Sequence, residues 1–124
     1  MKYTLITTGG TIGSATGGDG VRRLADGKTF GGFTETLAPF TVFSENMTFE
    51  HMATLSALIR KQAAEYDGII VTHGTDTLPF TAAALSFTLA DIQIPVVLVS
   101  ANAPAGEPGS NADDNMRAAL AFLG

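Results

Sequence analysis

The chain of 124 residues is long enough for one domain around a single core. Its net charge of −5, with no run of Lys or Arg beyond Arg22-Arg23, predicts neither nucleic acid nor an anionic membrane as a partner. The absence of cysteine excludes disulfides, thiolate catalysis and thiolate metal sites, and with two histidines a histidine-based metal site would need carboxylates as well.

Glycine is in excess, with 14 residues against the roughly 7% of ordinary composition. Several of these glycines cluster between Gly9 and Gly32, so the excess has a local cause. The hydrophobic share of 45% is typical of a packed globular interior. No apolar leader and no membrane-spanning run follows Lys2, which predicts a cytoplasmic protein.

The beginning of the chain predicts a strand and a glycine-rich lid. Residues 2–8 are rich in strand formers and stop at Gly9-Gly10, which predicts a buried strand. Residues 14–33 have scattered charges and little periodicity, so we expect a mobile lid loop or a loose hairpin there. Residues 40–43 are expected to form a second, short strand.

Hydrophobic periodicity predicts two helices and one strand in the middle of the chain. Thr48 is a suitable N-cap for an amphipathic helix over residues 49–66. Residues 68–72 (GIIVT) are a continuous apolar run, typical of a strand covered on both faces. The helix expected over residues 78–90 is apolar nearly all round, which predicts that it is well buried.

The last part of the chain predicts one more strand and one more helix. Residues 94–100 are expected to form a buried strand. Ser110 followed by Asp113 is similar to a capping box at the start of a helix that runs through Leu123, with Gly124 as its cap residue.

Strands that alternate with helices predict parallel βαβ units. The expected fold is α/β, a three-layer α/β/α sandwich with a mostly parallel, Rossmann-like (flavodoxin-like) sheet, formed as a single domain by residues 1–124. In open sheets of this kind, ligands bind outside the carboxyl ends of the strands. A functional site is therefore expected at that edge.

Small, hydroxyl and acidic residues follow each predicted strand. These segments are Gly9-Gly10-Thr11, Phe43-Ser44-Glu45-Asn46, His73-Gly74-Thr75-Asp76-Thr77 and Ala101-Asn102. A hydroxyl nucleophile needs a nearby base and hydrogen-bond donors for an oxyanion. Thr75 with Asp76, and backbone amides freed by the glycines, can supply such parts.

Structural roles remain open for the same residues. Gly-Gly-Thr after a strand is common in turns, and Thr75 or Asp76 before a helix is ordinary capping. His73 is expected to be a structural residue, hydrogen-bonded at the sheet edge, and His51 to lie at the surface. A phosphate loop is disfavoured, because G-G-x-x-G is not G-x-G-x-x-G and the Lys-Ser/Thr of a P-loop is missing.

Two sequence blocks, TTGGTIGS and DGIIVTHGTDTLPFTAAALSF, together resemble the bacterial-type L-asparaginase/glutaminase family. The family's signatures are a T-G-G-T-I block and an H-G-T-D-T block before a helix, and both stand here in the expected order. FSENMT resembles the family's S-x-D-M-T segment, and PVVLVSANAPAGEPGSNADDNMRAAL is similar to the strand, loop and helix start that follow. The resemblance covers nearly all of the chain apart from the lid.

The resemblance implies hydrolysis of L-asparagine, or of L-glutamine, to the acid and ammonia through an acyl-enzyme, without a metal or an organic cofactor. Thr11 matches the nucleophilic threonine, and the glycines before it, including Gly10, would let its hydroxyl approach the amide carbon. Thr75 matches the second catalytic threonine. Asp76 matches the carboxylate that holds the α-ammonium of the substrate.

The remaining substrate-binding residues follow from the same resemblance. Ser44 and Glu45 match the pair that grips the amino-acid head group, with Ser44 on the α-carboxylate; Glu45 stands where the family has an amide. Ala101 matches a small residue whose backbone lies against the side-chain amide, and Gly74 belongs to the substrate-binding H-G-T-D-T block.

The sequence departs from the family's pattern in the residues that transfer protons. The lid tyrosine of the family has no counterpart in residues 14–36, where Phe30 or Phe33 could fill its space without moving a proton. The family's lysine and C-terminal domain would follow the end of this chain, which implies a short form that lacks them. Asn111 and Asp114 replace the usual Ser and Gly of the block before the last helix.

Two other functions stay open at this stage. One is a non-catalytic module, or an inactive fragment, that binds aspartate or asparagine. The other is the asparaginase-like subunit of a transfer-RNA amidotransferase, which would need a partner to receive ammonia. In the enzyme interpretation the ligand is a small amino acid, and the family implies a homo-oligomer, a dimer or tetramer, to which the helix over 78–90 and residues 118–120 contribute.

Overall fold

The computed structural model describes residues 1–20, 22–24 by their backbone, and 30–124. The strands are β1 (Tyr3–Thr7), β2 (Ser14–Thr16), β3 (Arg22–Leu24), β4 (Glu35–Leu37), β5 (Gly68–Thr72) and β6 (Val96–Val99). The helices are α1 (Phe49–Gln62), α2 (Leu78–Thr88) and α3 (Ala112–Leu123), together with a 3₁₀ turn at Ser44–Asn46.

Four strands form one parallel sheet in the order β4-β1-β5-β6. The chain therefore leaves β1 towards one edge of the sheet and continues from β5 towards the other. This order has its topological switch point between β1 and β5, as in flavodoxin-like folds, and ligands bind outside the carboxyl ends of the strands at such a point. The parallel, flavodoxin-like sheet predicted from the sequence is confirmed.

Two apolar cores lie on opposite faces of the sheet. Leu5 and Ile70 belong to the core on the α3 side, where Met116 of α3 is buried. Their neighbours Ile6 and Ile69 belong to the core that α1 and α2 cover. Because successive side chains of a strand point to opposite faces, this alternation produces the three-layer α/β/α sandwich expected from the sequence.

The predicted N-cap of α1 is confirmed. The Thr48 hydroxyl accepts a hydrogen bond from the backbone N–H of His51 at 3.3 Å, and the Thr48 N–H donates to the Nδ1 of His51 at 3.0 Å. His51, expected at the surface, is half-buried and its ring lies 4.7 Å from that of Phe40. The helix ends at Gln62, earlier than predicted, and the chain turns back so that the N–H of Asp67 donates to the Lys2 carbonyl at 2.8 Å.

The strand expected at residues 40–43 is wrong. The second strand of the sheet lies earlier, as β4, and pairs with residues 4–6 of β1. Residues 40–43 run beyond the end of β1, and only Val42 makes a single bridge there, with Gly9. Residues 40–43 are apolar, as the pattern indicated, but it is residues 35–37 that lie beside β1 and pair with it.

The expectation that the second helix is well buried is also wrong. Thr81 and Leu85 of α2 are buried, whereas Phe80 and Phe87 are 69% and 84% exposed. In the part of the chain that the structure describes, α2 packs against the sheet and α1, and its outer face is left uncovered. An apolar composition therefore did not ensure burial.

The start of the last helix differs from the predicted capping box. The N-cap of α3 is Asn111, one residue later than expected, and its side chain makes no capping hydrogen bond. The Ser110 hydroxyl instead donates to the Ala103 carbonyl at 2.9 Å and accepts from the N–H of Ala112 at 3.2 Å. Gly124 ends the helix with a φ of +102°, as predicted.

The predicted lid is in part a hairpin. β2 pairs antiparallel with β3, and the N–H of Thr16 donates to the Glu107 carboxylate at 3.2 Å. Phe30 and Phe33 pack against the α3-side core. The rest of this prediction falls on residues 21 and 25–29, which lie outside the described residues, as do the side chains of Arg22 and Arg23.

Candidate functional site

A polar cavity of about 440 Å³ lies beyond the carboxyl ends of β1 and β5. Its lining comes from four separate segments of the chain: Gly10, Thr11, Phe43, Ser44, Glu45, Gly74, Thr75, Asp76 and Asn102. The cavity thus occupies the switch point of the sheet, where a flavodoxin-like topology places its ligand.

The paired glycines after β1 allow two loops to touch. Gly9 and Gly10 have φ values of +99° and +75°, which side chains rarely tolerate. A Cβ on Gly9 would lie 2.5 Å from the Val42 carbonyl oxygen, and a Cβ on Gly10 would lie 2.4 Å from the Cα of Gly74. The space that these glycines leave is therefore filled by protein backbone, which corrects the expectation that it is cleared for the Thr11 hydroxyl.

Thr11 follows this contact and is half-buried at the cavity wall. Its carbonyl accepts two hydrogen bonds from Ser14, one from the hydroxyl at 2.7 Å and one from the N–H at 3.1 Å. Ser14 is fully buried, so its two hydrogen bonds fix the turn from Thr11 to Ser14. The backbone of Thr11 is held in place by its neighbours before any ligand is considered.

Ser44 and the loop after β5 are locked together. The buried Ser44 hydroxyl accepts from the N–H of Thr77 at 3.3 Å, and the Thr77 hydroxyl donates to the Ser44 carbonyl at 2.9 Å. A Cβ on Gly74 would lie 2.6 Å from the Ser44 hydroxyl oxygen, so Gly74 is required for this approach. The hydroxyl hydrogen of Ser44 remains available to donate to an anionic ligand group.

Thr75, Asp76 and Glu45 form the exposed side of the cavity. Within the described residues, the carboxylates of Glu45 and Asp76 accept no hydrogen bond and face no ion-pair partner. The N–H groups of Thr75 and Asp76 donate no hydrogen bond to any of these residues either. The site therefore offers two carboxylates to a cation and two backbone donors to an oxygen atom.

His73 is buried next to Gly74, which lines the cavity, and its ring holds the backbone there. It is fully buried, its Nδ1 lies 2.7 Å from the Gly74 carbonyl and its Nε2 lies 2.9 Å from the Thr81 hydroxyl. Burial lowers the pKa of His73 below its ordinary value, more than the hydrogen bond to Gly74 raises it. A neutral ring that donates from Nδ1 and accepts at Nε2 satisfies both contacts, and the expectation that His73 is structural agrees with this geometry.

After the last strand, Asn102 lines the cavity and the side chain of Ala101 does not. Ala101 is buried in the α3-side core, and it is not among the residues that line the cavity. Asn102 lines the cavity and exchanges two hydrogen bonds with Asn111: its N–H donates to Oδ1 of Asn111 at 2.9 Å, and the Asn111 N–H donates to Oδ1 of Asn102 at 3.0 Å. This reciprocal pair fixes the orientation of Asn102.

Phe43 and Asn102 are the lining residues that sequence reasoning did not select. Both stand in the segments recognised as following predicted strands, so position along the chain was a usable signal. The other seven lining residues were selected from the sequence, and the structure brings them together around one cavity. They are Gly10, Thr11, Ser44, Glu45, Gly74, Thr75 and Asp76.

The described residues contain no group of His, Asp or Glu side chains that could hold a metal ion. Nor does any helix among them have the length and apolar character needed to cross a membrane.

The chain matches the protein family described as "Asparaginase, N-terminal" over residues 2–124. The L-asparaginase of Thermococcus kodakarensis is 38% identical over 132 residues, which cover 98% of this chain and 40% of that protein. A glutamyl-tRNA(Gln) amidotransferase subunit of Thermoplasma acidophilum is 33% identical over 133 residues, which cover 99% of this chain and 32% of that protein.

Solved structures show the same similarity. The thermostable L-asparaginase from Thermococcus kodakarensis superposes with a TM-score of 0.81 at 34% identity, over 99% of this chain and 40% of that chain. The probable cytoplasmic L-asparaginase from Campylobacter jejuni superposes with a TM-score of 0.73 at 26% identity, over 98% of this chain and 41% of that chain. The chain therefore spans well under half the length of these relatives.

Proposed function

The chain belongs to the asparaginase family, whose N-terminal domain it matches, and from this premise we propose that it hydrolyses the side-chain amide of L-asparagine or L-glutamine to the acid and ammonia. Thr11 is the proposed nucleophile. The observation that carries the proposal is the convergence of Thr11, Ser44, Thr75 and Asp76, which come from three loops, on one cavity at the switch point of the sheet.

In the proposed reaction, the Thr11 oxygen attacks the amide carbon and gives up its proton. The tetrahedral intermediate then expels the amide nitrogen as ammonia, which needs a proton in turn, and leaves an ester on Thr11. Water attacks the ester carbon, releases the acid and returns the proton to Thr11. The N–H groups of Thr75 and Asp76 are suited to the oxyanion, because no protein acceptor among the described residues uses them.

The proposed grip on the amino-acid head group pairs a carboxylate with the α-ammonium and a neutral hydroxyl with the α-carboxylate. Asp76 would hold the α-ammonium, since its carboxylate has no cationic partner within the described residues. Ser44 would donate its hydroxyl to the α-carboxylate, from a position that Thr77 and Gly74 fix.

Proton transfer is the step for which the lining supplies the fewest groups. Among the described lining residues there is no His, Lys or Tyr, and the groups that accept a proton are the carboxylates of Glu45 and Asp76. The Thr75 hydroxyl lines the same cavity as Thr11, and in the proposed reaction it passes a proton between Thr11 and these carboxylates.

The test is ammonia release from L-asparagine and L-glutamine by the purified chain and by Thr11→Ala and Thr75→Ala variants. We expect turnover to fall by about 10³-fold or more in Thr11→Ala, because it removes the nucleophile, and by about 10²-fold or more in Thr75→Ala. Thr41→Ala is the matched control, since Thr41 is an exposed threonine that does not line the cavity. Full activity in Thr11→Ala would rule out Thr11 as the nucleophile.

Calorimetry with L-asparagine and L-aspartate distinguishes the non-catalytic alternative. Saturable binding without ammonia release would identify an amino-acid-binding module that uses the same cavity. Neither binding nor turnover would leave the chain with the fold alone.

A second candidate is supported by the relatives named as glutamyl-tRNA(Gln) amidotransferase subunits, one of which matches 99% of this chain. In this role the chain would release ammonia for a partner protein. Release from glutamine well in excess of release from asparagine favours this candidate.

We also propose that the chain forms a homo-oligomer. Phe87 on α2 and Phe122 on α3 are 84% and 73% exposed, and a second copy would cover them. Sedimentation at micromolar concentration tests this, and a monomer there would contradict it. A cytoplasmic location stays a prediction.

A further inference from the structure

Strand β6 forms an open edge of the sheet. It pairs with β5 on one side, and no strand among the described residues pairs with its other side. The carbonyls of Pro95 and Val99 accept hydrogen bonds from N–H groups of β5 and of the residue after it, at 3.0 and 2.9 Å. Because the backbone groups of successive residues in a strand point to opposite sides, the N–H and C=O groups of Val96 and Leu98 point away from β5. No described residue makes a hydrogen bond with them there, so the edge carries unpaired donors and acceptors.

This edge lacks the features that normally keep an exposed strand from pairing. Such features are charged side chains, a bulge or a proline that removes an N–H from the edge. Residues 96–99 are all valine or leucine. Pro95 precedes them, but its carbonyl faces β5, so its missing N–H also lies on that side and leaves the open edge unobstructed. Another strand can therefore pair along the whole of β6.

Apolar side chains flank the open edge on both faces of the sheet. Ala82 and Leu85 of α2 line a groove along β6 on one face, and Phe122 of α3, which is 73% exposed, lines it on the other. The described lining residues include no charged side chain, although the chain has a net charge of −5. A second copy of the chain can therefore approach this edge without bringing carboxylates into the contact.

We propose that two copies of this chain associate edge to edge, with their β6 strands antiparallel about a two-fold axis at Val97. In this register Val96 of each copy lies opposite Leu98 of the other, and each such pair exchanges both of its N–H···O=C hydrogen bonds. The unpaired groups of the edge thus complement themselves, which selects a second copy as the partner. The inference assigns an interface to the proposed homo-oligomer and does not depend on the hydrolysis proposed for the cavity.

The pairing joins the two sheets into one and continues both helix layers. Val96 and Leu98 pack on the α2 side of the sheet and Val97 on the α3 side, so each helix lies beside its own copy across the axis. Phe122 is covered in this arrangement. Because the paired strands run in opposite directions, the two polar cavities lie at opposite ends of the joined sheet, and each keeps the lining that it has in a single chain.

Disulfide formation by Val97→Cys tests the register, because the chain contains no cysteine of its own. Opposite residues in a non-hydrogen-bonded antiparallel pair have Cα atoms about 4.5 Å apart, within the range of about 4.4–6.8 Å that a disulfide spans. After oxidation with diamide, we expect at least about tenfold more disulfide-linked dimer on a non-reducing gel for Val97→Cys than for Thr41→Cys, since an interface raises the effective concentration of the two thiols. Thr41 is the matched control, because it is exposed and lies outside the groove. Equal yields from the two variants would overturn the inference.

Sedimentation equilibrium at micromolar concentration tests the same interface without a cysteine. Phe122→Glu brings a carboxylate into the apolar contact and should raise the dissociation constant of the dimer about tenfold or more. Phe49→Glu is the control and should leave that constant unchanged, since Phe49 is 89% exposed and lies outside the groove. Thermal unfolding shows whether each variant folds.

The outcomes separate this inference from the broader proposals. A dimer that is equally stable in Phe122→Glu would place the contact on another face and overturn the inference, while the proposed homo-oligomer would stand. A monomer in the unmodified chain would overturn both and leave the open edge of β6 to a strand of another polypeptide. Ammonia release tests the proposed hydrolysis separately.

Discussion

Two of the concave regions formed by the described residues differ in almost every physical property. The cavity beyond β1 and β5 is built from loops and lined by hydroxyls, carboxylates and glycine backbone. A groove of about 550 Å³ runs along β6, and its lining is apolar apart from one serine. The apolar residues include Leu78, Leu85, Ile92, Val96, Leu98 and Phe122. Concavity alone therefore does not identify the functional site, because only one of these regions carries groups that can do chemistry.

The difference has a structural origin. β5 lies inside the sheet and each of its residues is buried, whereas Val96, Val97 and Leu98 of the edge strand β6 are only half-buried. The polar cavity forms where two neighbouring strands end and their loops touch. The apolar groove forms where the described part of the sheet stops, so each region can be altered without changing the other.

The largest effect is expected for Gly10→Ala, which disrupts the close contact between Gly10 and Gly74 at the polar cavity. The new Cβ would lie 2.4 Å from the backbone of Gly74, at a residue with a φ of +75°. Strain and overlap together should lower the free energy of unfolding by about 3 kcal/mol or more. Urea denaturation followed by circular dichroism measures the change.

Gly109→Ala separates strain from overlap. Gly109 has a φ of +77°, but a Cβ there meets nothing within 4 Å. Its loss should be about 1–2 kcal/mol, the cost of the left-handed conformation alone. Equal losses in the two variants would mean that the contact between Gly10 and Gly74 contributes nothing to the shape of the cavity.

Much of the fold could be predicted because its cause is local. The apolar run of β5 and the capping position of Thr48 are properties of a few adjacent residues, and both are found as expected. β4 and the exposure of α2 were missed, since each depends on what lies next to the segment in space. Residues 40–43 had the composition of a strand but no partner strand beside them.

In the candidate site too, features with a local cause could be predicted and features that depend on spatial neighbours could not. Gly10 and Thr11 of the first glycine-containing block line the cavity together with Gly74, Thr75 and Asp76 of the second, and their roles there stay predictions. Ala101 was selected for its backbone, which stays a prediction, and its side chain lies in the core while Asn102 lines the cavity. The position of Asn102 is fixed by its hydrogen bonds with Asn111, which join positions nine residues apart and leave no local signal in the sequence.

An intermediate effect is expected from His73, which supports the polar cavity through a buried ring. Burial lowers its pKa in the folded chain below the ordinary value of 6.5. Between the lowered pKa and 6.5 the unfolded chain binds more protons than the folded chain, so stability rises with pH through this interval. The contribution is fully present above pH 6.5 and is lost as the pH falls through the lowered pKa.

His73→Gln is the variant for this measurement, because an amide can donate to the Gly74 carbonyl and accept from Thr81 without titrating. Urea denaturation of both proteins at several pH values should show the unmodified chain losing stability, relative to the variant, as the pH falls below 6.5. A constant difference between them across that range would mean that the folded chain does not discriminate against the charged ring.

The smallest effect is expected on the apolar side, for Phe87→Ala. Phe87 is 84% exposed on α2, whereas Leu85, two residues earlier on the same helix, is 4% exposed. Below the concentration at which sedimentation detects self-association, Phe87→Ala should change the free energy of unfolding by no more than about 0.5 kcal/mol, while Leu85→Ala should lower it by about 2–5 kcal/mol. A loss of about 2 kcal/mol or more for Phe87→Ala under those conditions would show that α2 is covered within a single chain. If the loss appears only as the protein concentration rises, a second copy covers this face, because only an intermolecular contact depends on concentration.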